Sequence, residues 1–375
     1  LVPAGIVALL AGCAAPPAWR APESAAPSPA ESRALIAQLL PPKLSERSGW
    51  ATDIYAAMSA LAIAPTAENI CAVVAVTEQE SGFRVDPPIP DLPTIAWKEI
   101  ERQRERAGIP KLVLLAALEV PSTDGRSYRE RLDAARTELE LSNVFEDFIG
   151  RVPMGKAFFE DRNPVRTGGP MQVSVAFAKA QVEAKPYPYP MSGSLRHEVF
   201  TRRGGMYFGI AHLLDYPAGY DGYLYRFADY NAGRYASRNA AFQKAVADVS
   251  GIPLDLDGDL VRFGDGGKEA GATELAARVL SKSLDMSNAE IRHDLELGKS
   301  REFERSRLHA RVFALADKAR GKPAPRAVMP QIKLQSSKFT RKLTTEWFAR
   351  RVADRHRACL ARGNEKRGQS PFSAA

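Results

Sequence analysis

The amino-acid sequence predicts a mainly α fold. Three observations carry that prediction: apolar residues recur at helical spacing through most of the chain, strict period-two alternation is scarce, and no internal repeat is present. At 375 residues there is room for one large domain or two ordinary ones, and a hydrophobic fraction of 45% is that of a globular protein. No uninterrupted run of about 18 apolar residues occurs, so no transmembrane helix is expected.

The first residues, Leu1 to Ala15, are apolar but too few to span a bilayer. They include Leu9-Leu10-Ala11-Gly12-Cys13, after which the chain turns at once into Pro, Ala and Ser. Small residues closing a short apolar segment give a signal peptidase an accessible backbone. The pattern resembles the lipobox of bacterial lipoproteins. That resemblance implies a signal peptide over residues 1–12, cleavage before Cys13 and acylation of its thiol, with stable membrane anchoring through the acyl chains. Ala14 stands where an Asp would signal inner-membrane retention, so an outer-membrane lipoprotein of a Gram-negative bacterium is expected. Residues 13–33, dominated by Pro, Ala and Ser, read as a disordered tether.

Folding is predicted to begin near Ser32, an N-cap before the run Ala34 to Leu40. A second helix is expected from about Trp50 to Ala62, with Trp50, Ile54, Tyr55, Met58 and Leu61 at helical spacing. Pro65-Thr66 opens a third, which runs through Ile70, Val73, Val74 and Val76 to Glu80. From Phe83 to about Asp161 the sequence is Pro-punctuated and then helical, over Ile95–Arg106, Pro110–Leu118 and Tyr128–Phe148. A helix follows from about Ser174 to Glu183, then an extended polyproline-like arm, Lys185-Pro-Tyr-Pro-Tyr-Pro190. Helical pattern resumes over Gly205–Tyr216 and from Tyr223. Residues 251–268 form a turn or short hairpin, and after Thr273 nearly everything is helical, broken at Gly321 to Pro330.

Glu80 closes the third helix and is followed by Ser81-Gly82-Phe83. On a helical wheel it lies within about 40° of Val73 and Val76, at the end of an apolar stripe, with Glu78 on the opposite side near Cys71. A carboxyl so placed is desolvated, which suits a general acid near neutral pH. Two further segments supply context. Gly168-Gly169-Pro170-Met171-Gln172 is a Gly-rich turn that lets backbone approach a ligand. Tyr230-Asn231-Ala232-Gly233 offers a phenol, an amide and a helix-capping Gly.

Glu-Ser, Gly-x-Met-Gln and Tyr-Asn-Ala-Gly, in this order, resemble the three signature segments of soluble lytic transglycosylases, which have a goose-type-lysozyme-like fold. The stretch Arg203 to Tyr216 is similar to the glycine-containing helix that precedes the third segment in that family. The match covers about residues 50–84 and 166–240. Taken whole, lipobox included, the chain also looks like a family of uncharacterised outer-membrane lipoproteins of Gram-negative bacteria. The resemblance implies a lysozyme-like helical domain over 34–268, with a helical insertion at about 84–161, followed by a basic α-helical C-terminal region over 269–375.

By that resemblance, Glu80 protonates the glycosidic oxygen between N-acetylmuramic acid and N-acetylglucosamine. As carboxylate it then takes the proton of the muramoyl 6-hydroxyl, which closes a 1,6-anhydro ring. Ser81, Met171, Gln172, Tyr230 and Asn231 are the implied substrate-binding set, with Tyr230 hydrogen-bonded to Glu80. The substrate is the peptidoglycan glycan strand. The rival reading, from another class, is a noncatalytic lysozyme-like module that binds peptidoglycan, peptides or envelope partners. Simple muramidase hydrolysis is a third. The sequence departs from the family at Pro170, which lacks an amide donor, and at Asp229, which either tunes Glu80 or disturbs it. About 87 residues separate Ser81 from Gly169, where the family has a short loop.

Other signals are weaker. The five histidines, at 197, 212, 293, 309 and 356, form no His-x-x-x-His pair, and Asp255 to Asp259 lacks the Gly placement and closing Glu of a calcium loop. No metal or other cofactor is implied. The Tyr187/Tyr189 arm is either a sugar-stacking platform or a connector, and Glu160 and Asp161 either turn toward the cleft or lie on the insertion's surface. Cys71 and Cys359 either pair, as an oxidising envelope favours, or remain two buried thiols. Residues 299–375 hold 20 Lys/Arg against 6 Asp/Glu, so the net +8 of the chain is concentrated there. Such a region suits an anionic envelope surface, and the lipobox argues against nucleic acid.

Overall fold

The computed structural model of the protein describes residues 27–151, 162–191, 193–220, 222–262, 269–334 and 343–368. Cys13 and the lipobox, most of the tether, Glu160 and Asp161 lie outside the described residues. Among the described residues, seventeen α-helices and two small two-stranded sheets make the fold mainly α.

The first helix, α1 (Pro29–Leu39), starts earlier than the sequence predicts. Ser28, not Ser32, is its N-cap: the Ser28 hydroxyl accepts from the Glu31 amide and the Glu31 carboxylate accepts from the Ser28 amide. Ser32 is buried inside the helix. Next come α2 (Arg47–Ala60) and α3 (Ala67–Glu80), the latter capped by Thr66. The predicted one-sided stripe of α3 is corrected by its packing. Every residue from Ile70 to Thr77 is buried, because α1, α10 (Arg202–Leu214) and α17 (Thr345–Gly368) all pack on it. A helix apolar on every side belongs at a core's centre, and Glu80 is where α3 emerges.

The insertion holds α4 (Leu92–Arg106), α5 (Lys111–Leu118), α6 (Tyr128–Ala134) and α7 (Glu138–Arg151). The single helix expected over Tyr128–Phe148 is broken in two. Ile89 donates its amide to the Arg136 carbonyl, and Pro88 pairs with Thr137, so these residues join a bridge instead of a helix. Leu92, Leu118, Tyr128, Leu132, Leu141 and Val144 give the insertion its own small core, which reaches the body through Val165 and Phe200.

After the insertion, β1 (Thr167–Gly168) and β2 (Val173–Ser174) form an antiparallel hairpin. It leads into α8 (Val175–Ala184), α9 (Leu195–Val199), α10, and α11 (Leu224–Ala232). The Tyr187/Tyr189 arm is a packed connector, not a sugar platform. Tyr187 stacks on Phe208 with ring centroids 5.2 Å apart, and its hydroxyl donates to the buried Glu198 carboxylate at 2.7 Å.

Residues on both sides of 269, where the C-terminal region is expected to begin, share one core. A second core joins α12 (Ala236–Ser250) to α13 (Ala272–Val279), α14 (Ser281–Leu284), α15 (Asn288–Glu296) and α16 (Arg307–Arg320), around Phe242, Phe303, Leu308 and Val312. The Asp-rich stretch between α12 and α13 is a turn: Asp257 accepts from the Gln243 amide at 2.7 Å and from its neighbour Asp259 at 2.9 Å. The chain then forms a second hairpin, β3 (Lys333–Leu334) with β4 (Leu343–Thr344), and α17 returns to the first core. There Cys359 forms a disulfide with Cys71 of α3, and His356 contacts the Glu68 carbonyl at 3.1 Å. The C-terminal region is therefore split between two cores. Its charge stays outward on α17, where Arg350, Arg351 and Arg357 are exposed.

The disulfide spans 288 residues of sequence, and the unfolded-state freedom a crosslink removes grows with loop length. Replacing Cys71 and Cys359 by Ser is expected to lower the unfolding free energy by about 3–5 kcal/mol. Urea titration with and without reductant measures this, and only the wild type should respond to the reductant.

Candidate active site

The centre of the site is the four-residue loop of the first hairpin, Gly169-Pro170-Met171-Gln172. Its fit against α10 follows from sequence. Gly205 and Gly209 lie one turn apart on one face of that helix. A Cβ on Gly205 would stand 2.4 Å from Pro170 Cδ, and one on Gly209 would stand 2.3 Å from Met171 Sδ and 2.6 Å from Met171 Cβ. The Pro170 and Met171 side chains can thus rest on the helix backbone only because both positions lack a side chain. Gly169 adopts φ +75°, with the Val199 carbonyl where its Cβ would be.

Two side chains from distant parts of the chain hold this loop. Ser81, the residue after α3, donates its hydroxyl to the Pro170 carbonyl at 2.7 Å. Tyr230, on α11, donates its hydroxyl to the Met171 carbonyl at 2.5 Å. Burial, and then the negative charge of Glu80, push the Tyr230 phenol well above its ordinary range, so it stays a neutral donor. The end of α3, the hairpin loop and α11 therefore converge. Glu80 is half-buried there, close enough for its charge to bear on Tyr230.

Other expected site residues turn elsewhere. Met171 is fully buried under Gly209, so it is core and not a cleft wall. Gln172, at φ +51°, folds its amide back on its own hairpin, donating to the Gly169 carbonyl at 3.3 Å and accepting from Thr167 at 3.4 Å. Asn231 accepts from the Thr345 hydroxyl at 2.8 Å and so fixes the start of α17.

Asp229 is held by its own set of donors. It is fully buried and accepts from the Tyr216 and Tyr220 hydroxyls, at 3.1 and 2.6 Å, and from the Tyr235 and Ser237 amides, at 3.0 and 2.7 Å. Burial raises its carboxyl above the usual range while these donors pull it back. The two amides belong to the N-terminus of α12, so Asp229 caps one helix from another.

Sequence reasoning missed His212. It sits on α10 between Phe177 and Tyr230, with ring centroids at 4.7 and 4.9 Å, and contacts the Tyr230 carbonyl through Nε2 at 3.2 Å. Burial and then the Arg234 charge hold its imidazole down at about 4. It is a neutral brace beneath Tyr230. Among the described residues no cluster of His, Cys, Asp and Glu could hold a metal ion.

Comparison with known proteins adds a family. The family described as "Protein of unknown function (DUF1615)" matches residues 43–362. The chain is similar to "Uncharacterized protein YaiW" of Escherichia coli (strain K12), at 49% identity over 356 residues, covering 94% of this chain and 96% of that protein. No solved structure matches.

Two predictions follow the geometry. Gly209→Ala forces Met171 from its seat and should cost about 1–3 kcal/mol of stability, read by urea titration. His212 supplies the second. An unfolded His takes up a proton near pH 6.5, whereas folded His212 resists protonation down to about 4. Its contribution is complete above the unfolded value and lost as pH falls toward 4. His212→Gln should reduce the loss of stability between pH 7 and 5, by up to about 1.4 kcal/mol per pH unit. Urea midpoints at several pH values test this, and an unchanged slope contradicts it.

Proposed function

The chain belongs to the DUF1615 family, and we propose that it is a membrane-anchored peptidoglycan lytic transglycosylase built on a lysozyme-like fold. The observation that carries this reading is the convergence of Glu80, the Gly169–Gln172 loop and Tyr230, which come from three distant parts of the chain. Glu80 is the acid/base. It terminates α3 and is half-buried beside the loop.

As acid, Glu80 gives its proton to the glycosidic oxygen between N-acetylmuramic acid and N-acetylglucosamine. The bond from the muramoyl anomeric carbon to that oxygen breaks. The muramoyl 6-hydroxyl oxygen bonds the same carbon, and its proton goes to the Glu80 carboxylate, which restores the acid. Ordinary glycosidases need a second carboxylate for this half of the reaction. Here the nucleophile belongs to the substrate, so one Glu suffices and no cofactor enters. Ser81 and Tyr230 act as positioning residues, since each spends its hydroxyl proton on the loop. Acylated Cys13 would anchor the protein in the outer membrane, and Arg350, Arg351 and Arg357 would face its anionic surface.

One observation favours a second reading. Ser81, Met171, Gln172 and Asn231 are all engaged within the protein, which suits a noncatalytic module that binds glycan or another envelope partner. Digestion of purified sacculi separates the readings. The wild type should release anhydro-muropeptides, and Glu80→Gln should lose at least about 10²-fold of that activity with the fold intact. Products heavier by one water would indicate hydrolysis. Binding of sacculi without release of product by either protein would establish the noncatalytic module instead.

A further inference from the structure

The insertion carries a surface that the proposed chemistry does not use. Helix α5 reads Lys-Leu-Val-Leu-Leu-Ala-Ala-Leu, and only its first residue is polar. One face packs inward through Leu118, with Leu114 beside it in the insertion core. The opposite face is open: Leu112 is 79% exposed, Val113 57%, and the flanking Ile109 and Val120 are 40% and 46% exposed. Within the helix, Leu112, Val113 and the exposed Ala116 stand at steps of three and four residues and form one stripe, flanked in sequence by exposed Ile109 and Val120. A surface helix of a water-soluble body ordinarily turns polar residues outward. Here the outward face is as apolar as the inward one.

We propose that α5 is an interfacial membrane-docking helix whose outer face enters the headgroup and upper acyl region of a phospholipid bilayer. Two observations select that occupant over a protein groove or a second copy. The first is the chain beyond the described residues. Fifteen residues lead from Cys13 to Ser28, which even fully extended reach only about 50 Å. An acylated Cys13 therefore keeps the start of the folded body within about that distance of the bilayer that holds the anchor, at high effective concentration. In this respect the inference rests on the lipid-anchor part of the proposed function. The second is charge. The acids at this edge, Glu99, Glu101, Glu105 and Glu119, are each ion-paired by Arg102, Arg104 or Arg129. Exposed Arg106 and Lys111 then bracket the start of the stripe, where cations meet anionic headgroups. No described helix is long and apolar enough to cross a membrane, so α5 lies on the bilayer.

The test uses the full chain carrying Cys13→Ala, so that no acyl chain contributes. The probe is vesicles of phosphatidylethanolamine with a minority of phosphatidylglycerol. This protein should float with the vesicles, and adding Leu112→Asp and Val113→Asp should cut the bound fraction about tenfold or more. Both positions face solvent, and an unchanged thermal transition verifies that the variant is folded. Equal flotation of the two proteins, or of neither, overturns the proposal. So does concentration-dependent dimerisation abolished by the same substitutions, which would make the stripe a self-association face. Acylation is read separately, from the mass of the N-terminal peptide of membrane-extracted wild type, so failure of the anchor and failure of α5 are distinguishable.

Discussion

The site depends on a steric fit between the loop's Pro170 and Met171 side chains and the bare backbone of α10. The hairpin loop rests on α10 at Gly205 and Gly209, closer than any side chain would permit. That contact fixes where the Pro170 and Met171 carbonyls lie, and those carbonyls are the acceptors for Ser81 and Tyr230. Ser81 belongs to the end of α3 and Tyr230 to α11. The seat of the loop therefore sets the distance between the two helices that bring Glu80 and the phenol together. A single hydrogen bond contributes only about 1 kcal/mol net. Its effect on geometry is larger, since Tyr230 and Met171 are buried and Ser81 is partly so.

Around that seat the protein distributes its stability over separate cores, and buried polar groups stitch them together. Asp229 lies on α11 in the first core and caps α12 in the second. The third residue of α12, buried Arg238, donates to the Gly298 and Ser300 carbonyls at 2.6 and 2.8 Å, tying the helix to the second core's far side. A buried carboxylate without donors would cost several kcal/mol. Asp229 has four, so its burial defines a position at little cost. The last helix completes the arrangement by returning to α3, where the disulfide fastens it.

Helices were readable from the sequence because amphipathic spacing and caps are local. Thr66 and Ser174 cap the helices expected to follow them, and α3 ends at Glu80 as its spacing predicts. One miss was local, at the first cap, and the others were non-local. Ser32 has the chemistry of an N-cap, but Ser28 and Glu31 form a reciprocal pair that starts the helix a turn earlier. Tyr128–Phe148 has helical spacing throughout, and only a bridge to Pro88 and Ile89 interrupts it. The hairpin had no alternation to announce it, with strands of two residues each. The glycines of α10 were a visible signal, since small residues one turn apart on one face mark a close approach. Which side chains would be consumed in building the site was not visible, because Gln172 and Asn231 have partners chosen by tertiary packing.

That consumption has a consequence for specificity. If Ser81, Met171, Gln172 and Asn231 are spent on structure, recognition of any ligand beside Glu80 falls to groups at the rim. The insertion is the neighbour in position to supply them. Its core includes Phe200, whose ring fills the space next to Gly168 at the base of the hairpin, and Val165, whose carbonyl accepts from Arg196 at 2.6 Å. The insertion is thus packed directly onto the element that positions the loop. A force on α5 would pass through Leu118 and the insertion core to Phe200, and from there to the hairpin. A surface that settles the insertion on a bilayer would in that way also set the orientation of Glu80 toward whatever lies above the membrane.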